Sequence, residues 1–340
     1  MGAAVIAHEA LNPEQLWRCP RCKGHLHRSS DRLTCTPCST GYEFVGDIPD
    51  LRVPGPSWID QAQDRSEARQ FLAETGGVDC RDMIAWVFAR RSDWEKERAD
   101  LRTAQVLAAP ERLRLELQGW LQPLMRGEGY FLDVGCGNGT LLAAAASLGR
   151  QGIGVDVSMV WLQVAAGMIK AHGGRPMLAA AMAEALPLAD ETVGGIVSLD
   201  VIEHVGEPGP YLVELNRVAK HGGFLALATP NRFSLAAEPH VFLWGVGFLP
   251  RPWQKPYVRW RGERYEFTRL LSRPEVARLM RRFTEFRTVI TVPPISEFEI
   301  ARFSKRRRVL ARLYNRLLAH GMHWLLLPIC PFFRVVGIRA

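Results

Sequence analysis

Residues 130–139 read YFLDVGCGNG: an apolar run, a carboxylate at Asp133, then glycines at 135, 137 and 139. A strand that stops at alternating glycines turns sharply, because glycine adopts positive φ without steric penalty and lets its amides approach a ligand with no Cβ between. The stretch reads as a cofactor-binding turn from a buried strand into a helix. Its spacing discriminates among cofactors. A dinucleotide fingerprint sets its third glycine three positions after the second and seats a pyrophosphate on the helix N-terminus. Here the third comes two positions after the second, with Asp133 at the turn. A carboxylate there repels phosphate and suits a sulfonium or ammonium group.

Asp133-x-Gly135-x-Gly137-x-Gly139 resembles motif I of the class I S-adenosylmethionine (SAM) methyltransferases, and flanking segments extend the resemblance over residues 130–232. Asp156 ends a second apolar stretch, GIGVDVS, 21 residues beyond Gly135. A doubly wound fold places the acid that accepts both ribose hydroxyls about there. AEALPLADETVGGIVSLDVIEHV resembles the family's adenine loop, fourth strand and following segment, and LNRVAKHGGFLALATPN its fourth helix and fifth strand. The TPN ending of that strand is similar to the ubiquinone and natural-product members. An unrelated nucleotide-binding sheet is the alternative. The resemblance implies an α/β fold, a Rossmann-like seven-stranded class I methyltransferase sheet with a helical cap.

It also implies site roles. Asp133 and the backbone of Gly135, Cys136 and Gly137 hold the methionine end of SAM, Asp156 holds the ribose, and Val157 packs on the adenine. The usual acid of the adenine loop is Met182 here, so recognition of the exocyclic amine falls to the backbone near Ala183. Asp200, ending the fourth strand, borders the cofactor.

Asp200-Val-Ile-Glu203-His204 supplies the catalytic candidates. His204 is the general-base candidate, since an imidazole needs little tuning to act near neutral pH; the other reading makes Glu203 and His204 a pair supporting the pocket floor. A third follows from similarity to the E-x-x-E-H segment of ubiquinone-pathway O-methyltransferases, which implies a divalent cation on Asp200, Glu203 and His204. Asp200 departs from that pattern's first Glu. His240 and Tyr265 are weaker candidates.

Residues 17–52 carry paired cysteines at 19 and 22 and at 35 and 38. Two C-x-x-C knuckles can wrap one zinc tetrahedrally, and a segment this small needs such a staple; a redox pair is the other reading. The segment resembles a Trm112-like zinc ribbon, with Tyr42 and an Asp47–Leu51 ending. The zinc is expected to be structural, with the ribbon serving as support or as a docking module, and His25 and His27 are expected on the surface.

These readings give three segments: the ribbon at 1–56, a helical cap or linker at 57–127, and the methyltransferase domain at 128–340. The Pro/Gly stretch VPGPSW at 53–58 is the expected hinge. Trp86, Phe88, Trp94 and Trp120 in the cap are expected to line a cavity or to be plain core. The domain carries an aromatic, arginine-rich lid at 233–271. A basic amphipathic helix at 302–327 has Val309, Leu310, Leu313, Leu317 and Leu318 on one face and Arg308, Arg312 and Arg316 on another.

The chain has 340 residues, 47% of them hydrophobic, and a net charge of +8. That charge is local: residues 251–282 hold ten Lys or Arg against three Glu, and residues 302–320 hold seven against no acid. This excludes a protein coated uniformly for nucleic acid and points to particular basic surfaces. With no export signal or spanning segment in the sequence, a cytoplasmic protein is expected, peripheral at a membrane surface through 302–327. The leading function is methyl transfer from SAM to a small-molecule acceptor, apolar, prenylated or lipid-linked. The alternatives are a zinc-ribbon rRNA or tRNA methyltransferase and a non-catalytic, partner-activating subunit. The ribbon's near-balanced charge, six Lys or Arg against four acids, makes it a poor RNA clamp and counts against nucleic acid.

Overall fold

The computed structural model describes residues 16–53, 55, 57–90, 96–127, 129–263 and 268–340, and the side chains of 298, 299 and 302 lie outside that description. Trp94 and Tyr265 also fall outside it, as do residues 1–15.

The N-terminal segment is a small antiparallel sheet of β1 (Leu26–Arg28), β2 (Arg32–Cys35), β3 (Gly41–Val45) and β4 (Ile48–Pro49), paired in chain order. Its buried strand positions are Leu26, Leu33, Cys35, Tyr42, Val45, Ile48 and Pro49. Helices follow as the three-and-four spacing predicts: α1 (Gln61–Thr75), α2 (Cys80–Ala89), α3 (Lys96–Gln118) and α4 (Gln122–Arg126). Asp60 caps α1 by accepting from the amides of Ala62 and Gln63, and Asp79 caps α2 through Asp82. Such caps satisfy amides that have no partner within the helix.

The alternating core begins with β5 (Phe131–Val134), α5 (Thr140–Ser147), β6 (Gly152–Asp156), α6 (Met159–Ala171) and β7 (Leu178–Ala180). It continues through β8 (Val193–Leu199), α7 (Pro208–Val218), β9 (Ala219–Pro230), α8 (Arg251–Trp260), α9 (Arg273–Phe283) and β10 (Phe286–Thr291). It closes with α10 (Glu297–Arg302), α11 (Lys305–Ala319), α12 (His323–Leu326) and β11 (Phe332–Arg339). The seven-stranded sheet has the order β10-β11-β9-β8-β5-β6-β7. β5 pairs in parallel with β6 and β8, and β6 with β7, whereas β11 runs antiparallel to β10. Parallel strands covered on both faces read as unbroken apolar runs, and all four residues of β5 are buried, Asp133 included.

The chain divides into two compact units, Met1–Val197 with Val213–Phe224, and Ser198–Leu212 with Leu225–Ala340. This division cuts across the three segments expected from sequence. In the first unit the small N-terminal sheet is continuous with the core: Asp50 forms a parallel bridge to Ala180 of β7, and the Leu51 amide donates to the Ala180 carbonyl at 2.7 Å. Trp17 bridges Leu188, and the Gln163 side chain of α6 donates to the Val45 carbonyl at 2.9 Å. The cap aromatics pack as core or against neighbouring side chains. Phe88 lies edge-on to Trp161, Trp86 is edge-on to Phe71 and donates to Glu74, and Trp120 donates to Glu116.

In the second unit the expected lid is mostly loop, with a short turn at Val246–Phe248 and α8. The expected single basic helix is interrupted. α11 ends at Ala319, Gly321 takes φ 76°, and α12 is a separate single turn. The packed face of α11 also differs from the aliphatic stripe. Ala311 and Leu318 are buried, the Tyr314 hydroxyl donates to the Pro293 carbonyl and Asn315 bonds both ways with Ile295, while Val309, Leu310 and Leu313 are exposed.

Candidate functional site

The glycine turn has the backbone its sequence predicts. Gly135, Gly137 and Gly139 take φ of 75°, 50° and 71°, and the amides of Gly135 and Cys136 donate to the Val155 carbonyl of β6 at 2.8 and 3.0 Å. A Cβ built on Gly139 would meet Ala165 of α6 at 2.7 Å, so helix packing excludes a side chain there. A Cβ on Gly137 would meet nothing within 4 Å; the turn opens onto space that a ligand can enter.

Asp156 closes this turn from the next strand. Its Oδ2 accepts from the Gly137 amide at 2.8 Å and its Oδ1 from the Ser158 amide at 2.9 Å. Burial raises the Asp156 pKa against the pull of these amides. Asp133 is more strongly affected: burial, then the charge of Asp156, pushes its carboxyl up to about 8. Buried Asp133 and half-buried Asp156 beside an open glycine turn make a site that lacks positive charge. The ammonium and sulfonium of SAM would supply it, so these residues fit the cofactor. Val157 is half-buried, and its carbonyl accepts from Arg52 at 2.7 Å. Met182 precedes a single helical turn, Ala183–Ala185. Cys136 is buried, and its thiol lies where a Cβ on Gly154 would clash.

In the second unit Asp200 sits at φ 57°, a conformation uncommon outside glycine. Glu203 is buried, its Oε2 accepts from Thr229 at 3.0 Å, and its Oε1 has no hydrogen-bond partner among the described residues. Burial, then the charge of Asp200, pushes the Glu203 carboxyl up to about 8. His204 Nε2 lies 3.0 Å from His240 Nε2, with the rings nearly perpendicular. His240 Nδ1 in turn donates to Glu238 at 2.5 Å, and the other oxygen of Glu238 accepts the amides of His240 and Val241. Burial draws the His240 pKa down, but the Glu238 carboxylate outweighs it and the net shift is upward. The structure thus groups Glu203 and His204 with His240, their ligand-capable atoms all within 4.8 Å, and the cluster does not include Asp200. The expectation of a cation on Asp200, Glu203 and His204 is corrected to that extent: Asp200, in its turn after β8, is not the third member. Sequence reasoning ranked His240 low and missed Glu238. Only the E-x-H spacing of Glu238 and His240 could have signalled them.

The four cysteines converge. The Sγ atoms of Cys19, Cys22, Cys35 and Cys38 lie within 4.8 Å of one another, with Cys22 and Cys35 3.3 Å apart and Cys19 and Cys38 3.7 Å apart. Zinc–sulfur bonds of about 2.3 Å in a tetrahedron separate the sulfurs by roughly 3.8 Å, so the set fits zinc. All four are free thiols. Tyr42, noted from sequence as part of the ribbon pattern, places its hydroxyl 3.1 Å from Cys19 Sγ. His25 and His27 are exposed, as expected.

Residues 132–227 match the methyltransferase-domain family. The matched segment is a methyltransferase domain. Among curated relatives, this chain is 33% identical over 134 residues to the ubiquinone biosynthesis O-methyltransferase of Parvibaculum lavamentivorans, covering 37% of the chain and 51% of the relative. It is 36% identical over 131 residues to the enzyme of the same name from Brucella ovis, covering 36% and 50%. The chain thus spans about half the length of the curated relatives it matches. A SAM-dependent methyltransferase structure from Archaeoglobus fulgidus aligns at 15% identity and a TM-score of 0.42, over 67% of this chain and 94% of that one. Among the described residues no helix is long and apolar enough to cross a membrane.

Proposed function

We propose that the protein is a SAM-dependent O-methyltransferase acting on a small-molecule acceptor that is apolar, prenylated or lipid-linked. The observation that carries the cofactor reading is the open turn at Gly137 flanked by the buried Asp133 and the half-buried Asp156. The ubiquinone-pathway relatives support oxygen as the atom methylated. When bound, SAM supplies an electrophilic methyl on sulfur. Asp133 holds the ammonium, Asp156 the ribose, and the backbone at Ala183 the adenine amine.

His204 takes the hydroxyl proton of the acceptor at Nδ1 and passes its Nε2 proton to His240 Nε2, 3.0 Å away. The imidazolium so formed on His240 rests against Glu238. This is the arrangement of a base backed by an orienting carboxylate. Zinc at the four cysteines is structural. The exposed Val309, Leu310 and Leu313 of α11, set among arginines, form the peripheral membrane contact.

The test incubates the purified protein with methyl-labelled SAM and a cell lysate, with and without a chelator too weak to take zinc from the four cysteines, and counts label in organic extract, RNA and protein. Label in the organic extract, insensitive to the chelator, is the expected result. Label in RNA would overturn the acceptor class, and loss on chelation would replace the histidine relay by a cation.

A further inference from the structure

The small N-terminal sheet touches both loops assigned to the adenosine half of SAM. On the first, after β6, Arg52 Nη1 donates to the Val157 carbonyl at 2.7 Å and to Asp64 at 2.6 Å, and the same Asp64 oxygen accepts the Met159 amide at 3.0 Å. Arg52 is itself fixed by Asp50 through Nε and Nη2, both at 2.7 Å, and its side chain is fully buried. On the second, after β7, the Arg18 amide donates to the Pro187 carbonyl at 2.9 Å, and Lys23 Nζ reaches the Leu186 carbonyl at 3.1 Å and Glu214 at 2.8 Å. Arg18 and Lys23 flank the first cysteine pair, Cys19 and Cys22. One ladder row joins the two halves: Ala180 pairs with Asp156 on one side and with Asp50 on the other.

A sheet this small, with strands of two to five residues, takes its shape from whatever the four cysteines hold. The backbone carbonyls at 157, 186 and 187 are then placed by residues whose own positions depend on that ion. We infer that the ribbon is the rear wall of the adenosine pocket, with Arg52 as a positioning residue, so that zinc occupancy and SAM affinity are linked. Linkage is reciprocal: whatever factor zinc adds to SAM affinity, SAM adds to zinc affinity. Intersite couplings are typically about 5- to 150-fold. The inference rests on the zinc and SAM assignments above and adds their coupling.

The experiment uses the full chain loaded with zinc and the product S-adenosylhomocysteine as probe. Zinc transfer to a chromogenic chelator is measured at equilibrium with and without saturating probe, and calorimetry gives the probe affinity of the zinc-loaded and metal-stripped forms. The probe is expected to tighten zinc retention at least about fivefold, matched by the same loss of probe affinity on stripping. Arg52→Gln, still zinc-loaded and cooperatively folded, is expected to bind the probe about tenfold more weakly. The zinc-transfer arm needs neither a variant nor stripped protein, so unfolding of either leaves the inference open to refutation. Zinc retention indifferent to the probe would overturn the coupling while leaving both assignments standing. A zinc-loaded protein that binds no probe would overturn the proposed function together with it.

Discussion

At the scale of single residues, Asp133 and Asp156 decide whether the glycine turn is a SAM site. Replacing Asp156 with Ala removes the carboxylate that bonds Gly137 and Ser158 and is assigned to the ribose. The expected result is loss of measurable SAM binding by calorimetry with the fold retained; unchanged affinity would reject the assignment. Asp133, raised to about 8 by burial and by Asp156, is protonated in the ligand-free protein at neutral pH. The ammonium of SAM favours its ionised form, so binding releases a proton and affinity falls as pH drops below about 8. The slope approaches about tenfold per pH unit, and Asp133→Asn is expected to bind weakly with a flat profile. The same sign governs folding without ligand. The folded state holds a proton that the unfolded chain loses above its ordinary carboxylate pKa, so this residue's contribution to stability declines as pH rises toward 8. In the second unit, His240→Ala removes the proton acceptor for His204, and a turnover drop of about a hundredfold with SAM affinity intact is expected because the general base His204 loses the relay behind it. A drop under threefold would reject the relay.

At the scale of elements, legibility follows the range of the interaction. The turn at 135–139 was readable because the spacing, the positive φ values and the nearby carboxylate are local, and the cysteine knuckles were readable for the same reason. The third member of the Glu203 and His204 cluster was not. His240 is 36 residues from His204, in a loop with no periodic pattern, and Asp200 stood closer in the chain. Arg52 was equally hidden, because its partner carbonyl at Val157 is 105 residues away. α11 shows a different failure: the aliphatic stripe was visible, but which stripe is buried depends on Pro293 and Ile295, outside the helix. Its exposed Val309, Leu310 and Leu313 lie in a run with no acid between 302 and 320. Vesicles containing anionic lipid are therefore expected to retain the protein in a sedimentation assay, and neutral vesicles are not. Leu310→Glu should abolish retention without altering unfolding, since the side chain is 65% exposed. Equal retention by the variant would remove α11 from the contact.

At the scale of the whole molecule, the sequence marked a hinge at 53–58 and a ribbon serving as support or as a docking module, whereas the structure does not divide there and places that ribbon and the cap helices in one compact unit with β5, β6 and β7. The difference lies in residues 50–52, which the Trm112-like pattern classed as a domain ending and which instead bond Ala180 and Val157. Replacing Cys19 and Cys22 with Ser is expected to release the metal and, through these bonds, to lower the melting temperature of the methyltransferase core itself; a core transition unchanged by the substitutions would restore the independent-domain reading. β7 is last in the strand order, and its outer side is covered at Ala180 by the ribbon's tail. An uncovered outermost strand offers unpaired amides and carbonyls to any other chain. Metal loss should thus appear first as concentration-dependent light scattering, making the ribbon a guard against self-association.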